Sequence, residues 1–506
     1  MVVTSSEMKA LEKRAFDQGT TAEELMDEAG AGVAGAVQQF FPRPGSCIVV
    51  FGKGHNGGDA LVAARHLAIA GWETFLLPAF AEESWTDLTR KKFGEAGLCR
   101  LFESGAEDWR ATLESTRCVQ GAPVVVLDGL LGVGASGPLR EPLGELVSRI
   151  NALRESAHAQ VISIDIPTGL DADTGEPGAK CVIADLTVTI GFSKRGLVAD
   201  HATNHVGRIV VLQLAKLTSH PVRPASCERV ATATHLGGLL PRRSFDSHKG
   251  EFGRVSIIAG SRGYTGAAAM CSAACVRAGA GLVSLFVPED IYPVVAAAAL
   301  PEVMVHPVDS YERVLETKCD VLALGPGLGR SRSSQILDLV QCCAVPMVID
   351  ADGLNILAER LDVLNGVSAP VLLTPHPGEM ARLDPSSPGR SRRDAAREFV
   401  ARHRVTLLLK GARTIVAEAG QLFSYNSTGH PGMATGGMGD VLTGVCAALA
   451  GQRLPLYEAA RLGAWLCGRA AEIAVSEGTD SQESLSPTQL LAHLGGAFRH
   501  LHERCY

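Results

Sequence analysis

Near the carboxyl end of the chain, the run NSTGHPGMATGGMGDVLTGVCAAL sets Gly436, Gly437 and Gly439 just before Asp440 and an apolar helical stretch. Successive backbone N–H groups at such a helix start, unobstructed by side chains, form an anion hole, and the positive end of the helix adds to it. A carboxylate beside that hole can accept a hydroxyl proton as the oxygen attacks a phosphoryl group, so Asp440 is a candidate base. Capping alone would not call for the glycines. In the first half, CIVVFGKGHNGGDALVAARHL carries a buried strand through Gly52, Gly54, Gly57 and Gly58 into a helix and suits a phosphate or pyrophosphate in the same way. Gly52-x-Gly54-x-x-Gly57 meets the dinucleotide pattern. Glu73 begins its strand rather than ending it, however, so the ribose-binding acid of that pattern is not clearly present.

Two further strand ends carry acids: VVVLDGLLGVGASGPL places Asp128 before a second glycine-rich loop, and VISIDIPTGLDADTG places Asp165 before a Pro-Thr-Gly turn. Ligands of parallel α/β sheets bind outside the carboxyl ends of strands. Asn56, Asp128 and Thr168 can supply oxygen ligands to a hard cation, with Asp165 free to accept hydrogen bonds from a ribose or hydroxyl. Singly, each is as well explained as an N-cap or Asx-turn. Lys194 in GFSKRGL is a candidate acid/base or phosphate contact, or equally a surface lysine snorkelling beside the sheet edge. In the second half, VSIIAGSRGYTGAAAM takes a strand through Gly260, Gly263 and Gly266 into a helix, and no G-x-x-x-x-G-K-[ST] occurs, which excludes a P-loop.

The elements that must hold these groups are short β-branched runs without alternation, the mark of strands buried on both faces: Cys47 to Phe51, Val124 to Leu127, Val161 to Ile164, Leu186 to Ile190 and Ile209 to Leu212. Helical stretches such as Leu61 to Ala70 and Leu143 to Leu153 fall between them, giving the rhythm of a parallel sheet covered on both sides. T-A-E-E at Thr21 reads as a capping box opening an amphipathic helix. LTSHPVRPASCERV, with Pro221 and Pro224, breaks the rhythm, and the boundary is placed between Lys216 and Arg229. The rhythm resumes with strands at Arg254 to Ala259, Leu282 to Val287, Val321 to Leu324, Met347 to Asp350, Val371 to Thr374 and Thr406 to Lys410. Two dissimilar α/β domains, 1–218 and 228–506, are therefore expected.

Composition agrees with a chain that buries a sizeable core rather than a disordered or fibrous one: 46% of the 506 residues are hydrophobic and 20% charged. A net charge of −7 offers no footprint for a nucleic-acid backbone, so no nucleic-acid partner is expected. The thirteen cysteines are scattered, with no C-x-x-C pair, and read as reduced small hydrophobes rather than zinc ligands. No apolar run reaches the ~18 residues of a membrane span, and the charged start MVVTSSEMKALEKRAF is no signal peptide, so a cytoplasmic protein without membrane contact is expected.

In order, KGHNGGDA, DGLLGVGASGPL, SIDIPTGLDADTG and TVTIGFSKRGL resemble the motifs of NAD(P)H-hydrate epimerases over about residues 1 to 215. The resemblance implies a Rossmann-like three-layer sandwich and a potassium ion on Asn56, Asp128 and Thr168. It also implies substrate contacts from His55, Asn56, Gly57, Gly58 and Asp59, from Gly132, Val133, Gly134, Ala135, Ser136, Gly137 and Pro138, and from Asp165. The segments TLLLKGARTIV, DVLALGPGLGRS, PMVIDADGLNIL and LLTPHPGEMARL, with the glycine turn before Asp440, resemble ADP-dependent NAD(P)H-hydrate dehydratases of the ribokinase-like superfamily over about residues 231 to 500. Carried over, Ala267, Gly327, Gly329, His376 and Asp440 face the hydrated nicotinamide, while Lys410, Gly411, Ala412, Arg413 and Thr414 with Gly436, Gly437 and Gly439 hold the adenine nucleotide. His376 reads equally as a satisfied histidine between two prolines. His55, Ala60, His430 and Met438 depart from the family pattern.

The expected activity is repair of hydrated NADH and NADPH: one domain interconverts R and S epimers, and the other dehydrates the S form with ADP, giving AMP and phosphate. Mg²⁺ is expected to bridge nucleotide oxygens and K⁺ to sit in the first site. The alternatives are a ribokinase-like kinase of a small hydroxylated metabolite, and a first domain that is only a nucleotide-binding module. Assembly into homo-oligomers stays open.

Overall fold

The computed structural model describes residues 1–102, 122–135, 137–218 and 227–506, and the chain divides into two compact units, Met1–Val230 with Tyr506 and Ala231–Cys505. Ser136 and most of the expected boundary segment, 219–226, lie outside the described residues.

The first unit is built on a seven-stranded parallel sheet in the order Arg100–Leu101, Glu73–Pro78, Ser46–Phe51, Val124–Gly129, Gln160–Ile164, Leu186–Ile190, Arg208–Leu212. Along Ser46–Phe51, Cys47, Val49 and Phe51 enter one apolar cluster with the helices Ala22–Phe40 and His55–Ile69, while Ile48 and Val50 enter a second with the helix Leu143–Ser156. Burial on both faces is why the strand reads as an unbroken apolar run. Thr21 and Glu24 form the expected capping box. The sheet order reverses at Ser46–Phe51, whose neighbours are the next strand in sequence on one side and Val124–Gly129 on the other. The loops after these two strands consequently splay apart and open a crevice at their carboxyl ends. A two-residue strand, Val2–Val3, pairs with Ser193–Lys194 and leads into the helix Ser5–Asp17, opened by a Thr4–Glu7 capping box.

A ten-stranded sheet, whose first strand straddles the unit boundary and whose other strands belong to the second unit, has the order Glu228–Ala231, Phe423–Asn426, Ile415–Ala417, Thr406–Leu409, Val371–Leu373, Met347–Ile349, Val321–Leu324, Arg254–Ile258, Leu282–Pro288, Val303–Val308. Ile415–Ala417 runs antiparallel to both of its neighbours, and the pairings from Thr406–Leu409 to Val303–Val308 are parallel. The order reverses between Arg254–Ile258 and Val321–Leu324, which places the loops Ala259 to Tyr264 and Gly325 to Gly329 side by side. The helices Thr265–Arg277, Met438–Gly451 and Leu456–Ser476 pack in one core with Trp465 and Tyr457 fully buried. The short strands Val303–Val308, Ile415–Ala417 and Phe423–Asn426 and the helix Pro487–His502 add to the elements expected from sequence. Val303–Val308 contains Pro307 and lies at a sheet edge, where a missing N–H costs no ladder bond.

Every cysteine of the described residues is free. None of their helices is long and apolar enough to cross a membrane.

Candidate active sites

In the first unit, the helix His55–Ile69 starts directly from the strand Ser46–Phe51, so Asn56, Gly57, Gly58 and Asp59 form its first turn, with His55 exposed at the very start. Gly57 is obligatory: a Cβ there would lie 2.0 Å from the Gly52 carbonyl oxygen. Ala60 packs against Gly129, whose missing Cβ leaves room for its methyl. Across the crevice, the fully buried Asp128 accepts hydrogen bonds at one oxygen from the Ser163 hydroxyl (2.9 Å) and Thr168 N–H (2.9 Å), and at the other from the Thr168 hydroxyl (2.7 Å) and Leu130 N–H (3.3 Å). Burial pushes its carboxyl above the ordinary range, with the Thr168 and Ser163 hydrogen bonds opposing. The Asn56 amide is buried, and its Nδ2 has no partner. A Cβ on Gly132 would sit 3.4 Å from both Asn56 Oδ1 and Asp165 Oδ2, so the second loop passes between these two side chains. Gly134, Ala135, Gly137 and Pro138 of that loop are exposed.

Asp165 takes a left-handed backbone conformation, φ 69°, which a non-glycine residue adopts only at a cost. Rather than lying free for a ligand, its carboxylate accepts from Val133 N–H (3.2 Å), Ile190 N–H (3.3 Å) and the Lys194 ammonium. A carboxylate offers about four acceptor positions, so one remains. Lys194 is fully buried, not snorkelling at an edge, and also donates to Thr189 Oγ1 (3.2 Å) and the Ile190 carbonyl (2.9 Å). Two more carboxyls share this neighbourhood. Asp59 is held far above its ordinary range by burial and then by the charges of Asp165 and Glu12. Glu12, on Ser5–Asp17, is raised by burial and by Asp165. Sequence reasoning missed Glu12, although the T-x-x-E box at Thr4 announced its helix. Met8, one turn earlier, packs on Gly191, three residues before Lys194.

In the second unit, the paired loops bring Ala267 and Gly327 together: a Cβ on Gly327 would meet the Ala267 and Tyr264 Cβ atoms at 2.9 and 2.8 Å. Ser261 Oγ donates to the Gly327 carbonyl at 2.8 Å, and Gly329 N–H donates to Asp352 at 2.8 Å. His376 caps the helix Pro377–Leu383, its Nδ1 accepting from Gly378 N–H (2.9 Å) and Glu379 N–H (3.3 Å) while Glu379 reaches back to His376 N–H (2.8 Å). The ring is half exposed beyond this cap.

Lys410 follows the strand Thr406–Leu409, and its ammonium donates to Asp350 Oδ1 at 2.7 Å, with Glu379 at 3.7 Å. Burial alone would lower its pKa, but the Asp350 and Glu379 carboxylates more than reverse this. The loop through Gly411, Ala412 and Arg413 is steadied by the Arg392 guanidinium, which donates to the carbonyls of Lys410 (3.4 Å) and Arg413 (3.2 Å), and by Thr414 Oγ1 on the Gly411 carbonyl (3.0 Å).

The helix Met438–Gly451 opens at Gly437, whose φ of 94° requires glycine, and no side chain caps it. Asp440 therefore does not cap its own helix. Its carboxyl is raised to about 6 by burial and by the charges of Asp350 and Asp352, with Lys410 opposing. A Cβ on Gly439 would lie 3.4 Å from both Asp350 Oδ2 and Lys410 Nζ, so the glycine turn, Lys410 and Asp350 converge. His430 Nδ1 accepts from Gly432 N–H at 3.1 Å, a local turn contact.

Residues 22–196 match the family described as YjeF-related protein N-terminus, and residues 255–493 match the family described as NAD(P)H-hydrate dehydratase. The chain is 37% identical to a bifunctional NAD(P)H-hydrate repair enzyme of Moorella thermoacetica, covering 99% of this chain and 97% of that one. It is 36% identical to the enzyme of the same description from Escherichia coli, covering 90% and 86%. Among solved structures it is similar to an ADP/ATP-dependent NAD(P)H-hydrate dehydratase from Bacillus subtilis crystallised with ATP and Mg²⁺. The identity there is 29% and the TM-score 0.49, with 54% of this chain and 98% of that one covered.

Proposed function

The chain belongs to the bifunctional NAD(P)H-hydrate repair enzymes, and from that premise we propose how its two crevices divide the repair of hydrated NADH and NADPH. The first interconverts the R and S epimers; the second dehydrates the S form at the expense of ADP. In the second, Asp440 takes the proton of the ring hydroxyl as that oxygen attacks the β-phosphorus of ADP. The bond from that phosphorus to the bridging oxygen breaks, and AMP departs. The ring C–O bond then breaks, phosphate leaves with the bonding pair, and a neighbouring ring carbon loses its proton as the double bond reforms. Phosphorylation turns a poor leaving group into a good one. The N–H groups of the Gly436–Gly439 turn and the Lys410 ammonium face the transferring group, while Lys410 to Thr414 hold the nucleotide. Mg²⁺ neutralises charge on the nucleotide oxygens when bound. Ala267, Gly327, Gly329 and His376 line the nicotinamide side.

In the first crevice the turn His55 to Asp59, the loop Gly132 to Pro138 and Asp165 bind the substrate, with Lys194 as the proton-transfer group. Asn56, Asp128 and Thr168 suit K⁺ in different ways: the orphaned Asn56 amide, turned about its axis, offers its oxygen to a weakly charged ion, Thr168 Oγ1 keeps one lone pair beyond the bond it accepts from Leu131 N–H, and Asp128, whose acceptor positions are filled by four hydrogen bonds, supplies the negative charge behind them. The free cysteines suit a reducing compartment, and we place the protein in the cytoplasm.

The observation that carries the dehydratase reading is the uncapped, glycine-opened helix start that bears Asp440, on which Lys410 and Asp350 converge. The test is to add hydrated NADH, ADP and Mg²⁺ to the full chain and follow reduced-nicotinamide absorbance with AMP and phosphate. Recovery of NADH with AMP and phosphate in equal amounts is expected. Accumulation of a stable phosphorylated product would instead mark a kinase.

A further inference from the structure

Asp350 ends the strand Met347–Ile349 and is 1% exposed. It stands at the N-cap of the helix Ala351–Glu359, where an aspartate ordinarily caps, yet its side chain makes no capping bond. The carboxylate turns the other way instead, accepting from Lys410 Nζ at 2.7 Å and Thr443 Oγ1 at 2.8 Å. The same hydroxyl lies 3.0 Å from the Gly439 carbonyl, and its one hydrogen, shared between the two acceptors, ties this carboxylate to the first turn of the helix that carries Asp440. Its backbone is equally fixed. Asp350 N–H donates to the Leu324 carbonyl (3.1 Å), its own carbonyl accepts from Gly353 N–H (2.9 Å), and a Cβ on Gly325 would strike that carbonyl at 1.8 Å. The next residue, Ala351, is held at φ 49°, strain that persists only where the surroundings over-determine it.

We propose that Asp350 is a positioning residue of dehydration: its carboxylate clamps the Lys410 ammonium and Thr443 hydroxyl beneath the glycine turn and presents a fixed negative charge to Asp440. The inference rests on Asp440 being the base. Charge at Asp350 makes the Asp440 carboxylate harder to form and so a stronger proton acceptor, while the clamp keeps Lys410 from pairing with Asp440 and quenching it. The other groups facing Asp440 are Asp352 and Lys410, the latter with Glu379 beside it, and the Cys271 thiol on Thr265–Arg277, which burial keeps neutral.

The test is the pH dependence of kcat for ADP-dependent dehydration in full-length wild type, Asp350→Asn, Asp350→Glu and Asp440→Asn. Wild type should lose activity below about 6 as Asp440 protonates. In Asp350→Asn that acid limb should move down by about one pH unit, the scale of one neighbouring charge, with a raised KM for ADP as Lys410 loses its anchor. Asp350→Glu should return the limb towards wild type, because it restores the charge. A folded Asp350→Asn with the wild-type limb, beside an inactive Asp440→Asn, overturns the inference and leaves the base reading standing. An active Asp440→Asn overturns the base reading and this inference with it. If Asp350→Asn does not fold, Thr443→Val carries the test: the charge stays, one anchor goes, and kcat should fall about fivefold with the limb in place. An unchanged kcat there overturns the clamp.

Discussion

Thr168 donates to Asp128 twice, through its N–H at 2.9 Å and its hydroxyl at 2.7 Å, so the carboxylate and hydroxyl oxygens are held as one rigid unit. Such a unit cannot follow a small ion inward, which favours a large, weakly charged cation that accepts fixed distances. Asp128→Asn keeps size and most hydrogen bonds but removes the charge. Epimerisation should then lose most of its dependence on added KCl, measured as R-to-S equilibration across a KCl series in a sodium-free buffer. An unchanged rate and an unchanged KCl response would remove Asp128 from the cation site.

Asp440→Asn should separate chemistry from stability. Loss of a general base typically costs on the order of 10²–10⁴ in rate, so dehydration should fall by at least the lower figure while epimerisation persists. Stability should move the other way. The folded-state pKa lies above the unfolded value of ~3.9, so ionising Asp440 destabilises the fold as pH rises from about 4 through 6. The variant should therefore melt higher than wild type at pH 7 and alike below pH ~4. Near-normal NADH recovery would take Asp440 out of the mechanism, and parallel loss of both activities would point to misfolding.

The fragments 1–218 and 228–506 should fold separately, because each carries its own sheet and its own apolar clusters, and Glu228–Ala231 forms the edge strand of the second sheet. Expression of each alone, read by thermal melting and by its own activity, checks this. Two molten or insoluble fragments would show that the halves depend on each other.

What the sequence disclosed, and what it hid, follows from where each kind of signal resides. Asp128, Asp165 and Asp440 stood out because glycines follow or precede them at element ends, and element ends are local. The same strand-end rule reaches Asp350 in VIDADGLN, yet an aspartate before a helix reads as its cap, and only the fold reveals the uncapped helix and the turned carboxylate. For Glu12 the local signal, the Thr4 capping box, marks only its helix: it meets the Lys194 neighbourhood because Val2–Val3 pairs with Ser193–Lys194, a contact between distant segments. The strand Ile415–Ala417 was not singled out, although it is no shorter than Met347–Ile349 and Val371–Leu373, which were. Lys194 met the limit that hid the place of Glu12, since its full burial is set chiefly by Asp165, 29 residues away in sequence.

Lys194 gives the sharpest test of the first crevice. Its ammonium is buried against Asp165, with the Asp59 and Glu12 carboxyls close enough for their charges to be felt. Removing one member of a buried pair leaves the other charge uncompensated and typically costs about 3–5 kcal/mol, so Lys194→Met alone will lose stability, and its inactivity would prove nothing. Neutralising the partner as well removes that penalty. The double variant Asp165→Asn, Lys194→Met should melt closer to wild type than Lys194→Met does. If Lys194 moves the proton, the double variant equilibrates R and S hydrates far more slowly than Asp165→Asn alone, which controls for the loss of the Asp165 substrate contact, while it still dehydrates the S form at the wild-type rate. Epimerisation restored together with stability would reduce Lys194 to a structural counter-charge. A dehydration rate that fell in step with epimerisation would instead trace the loss to the fold of the whole chain.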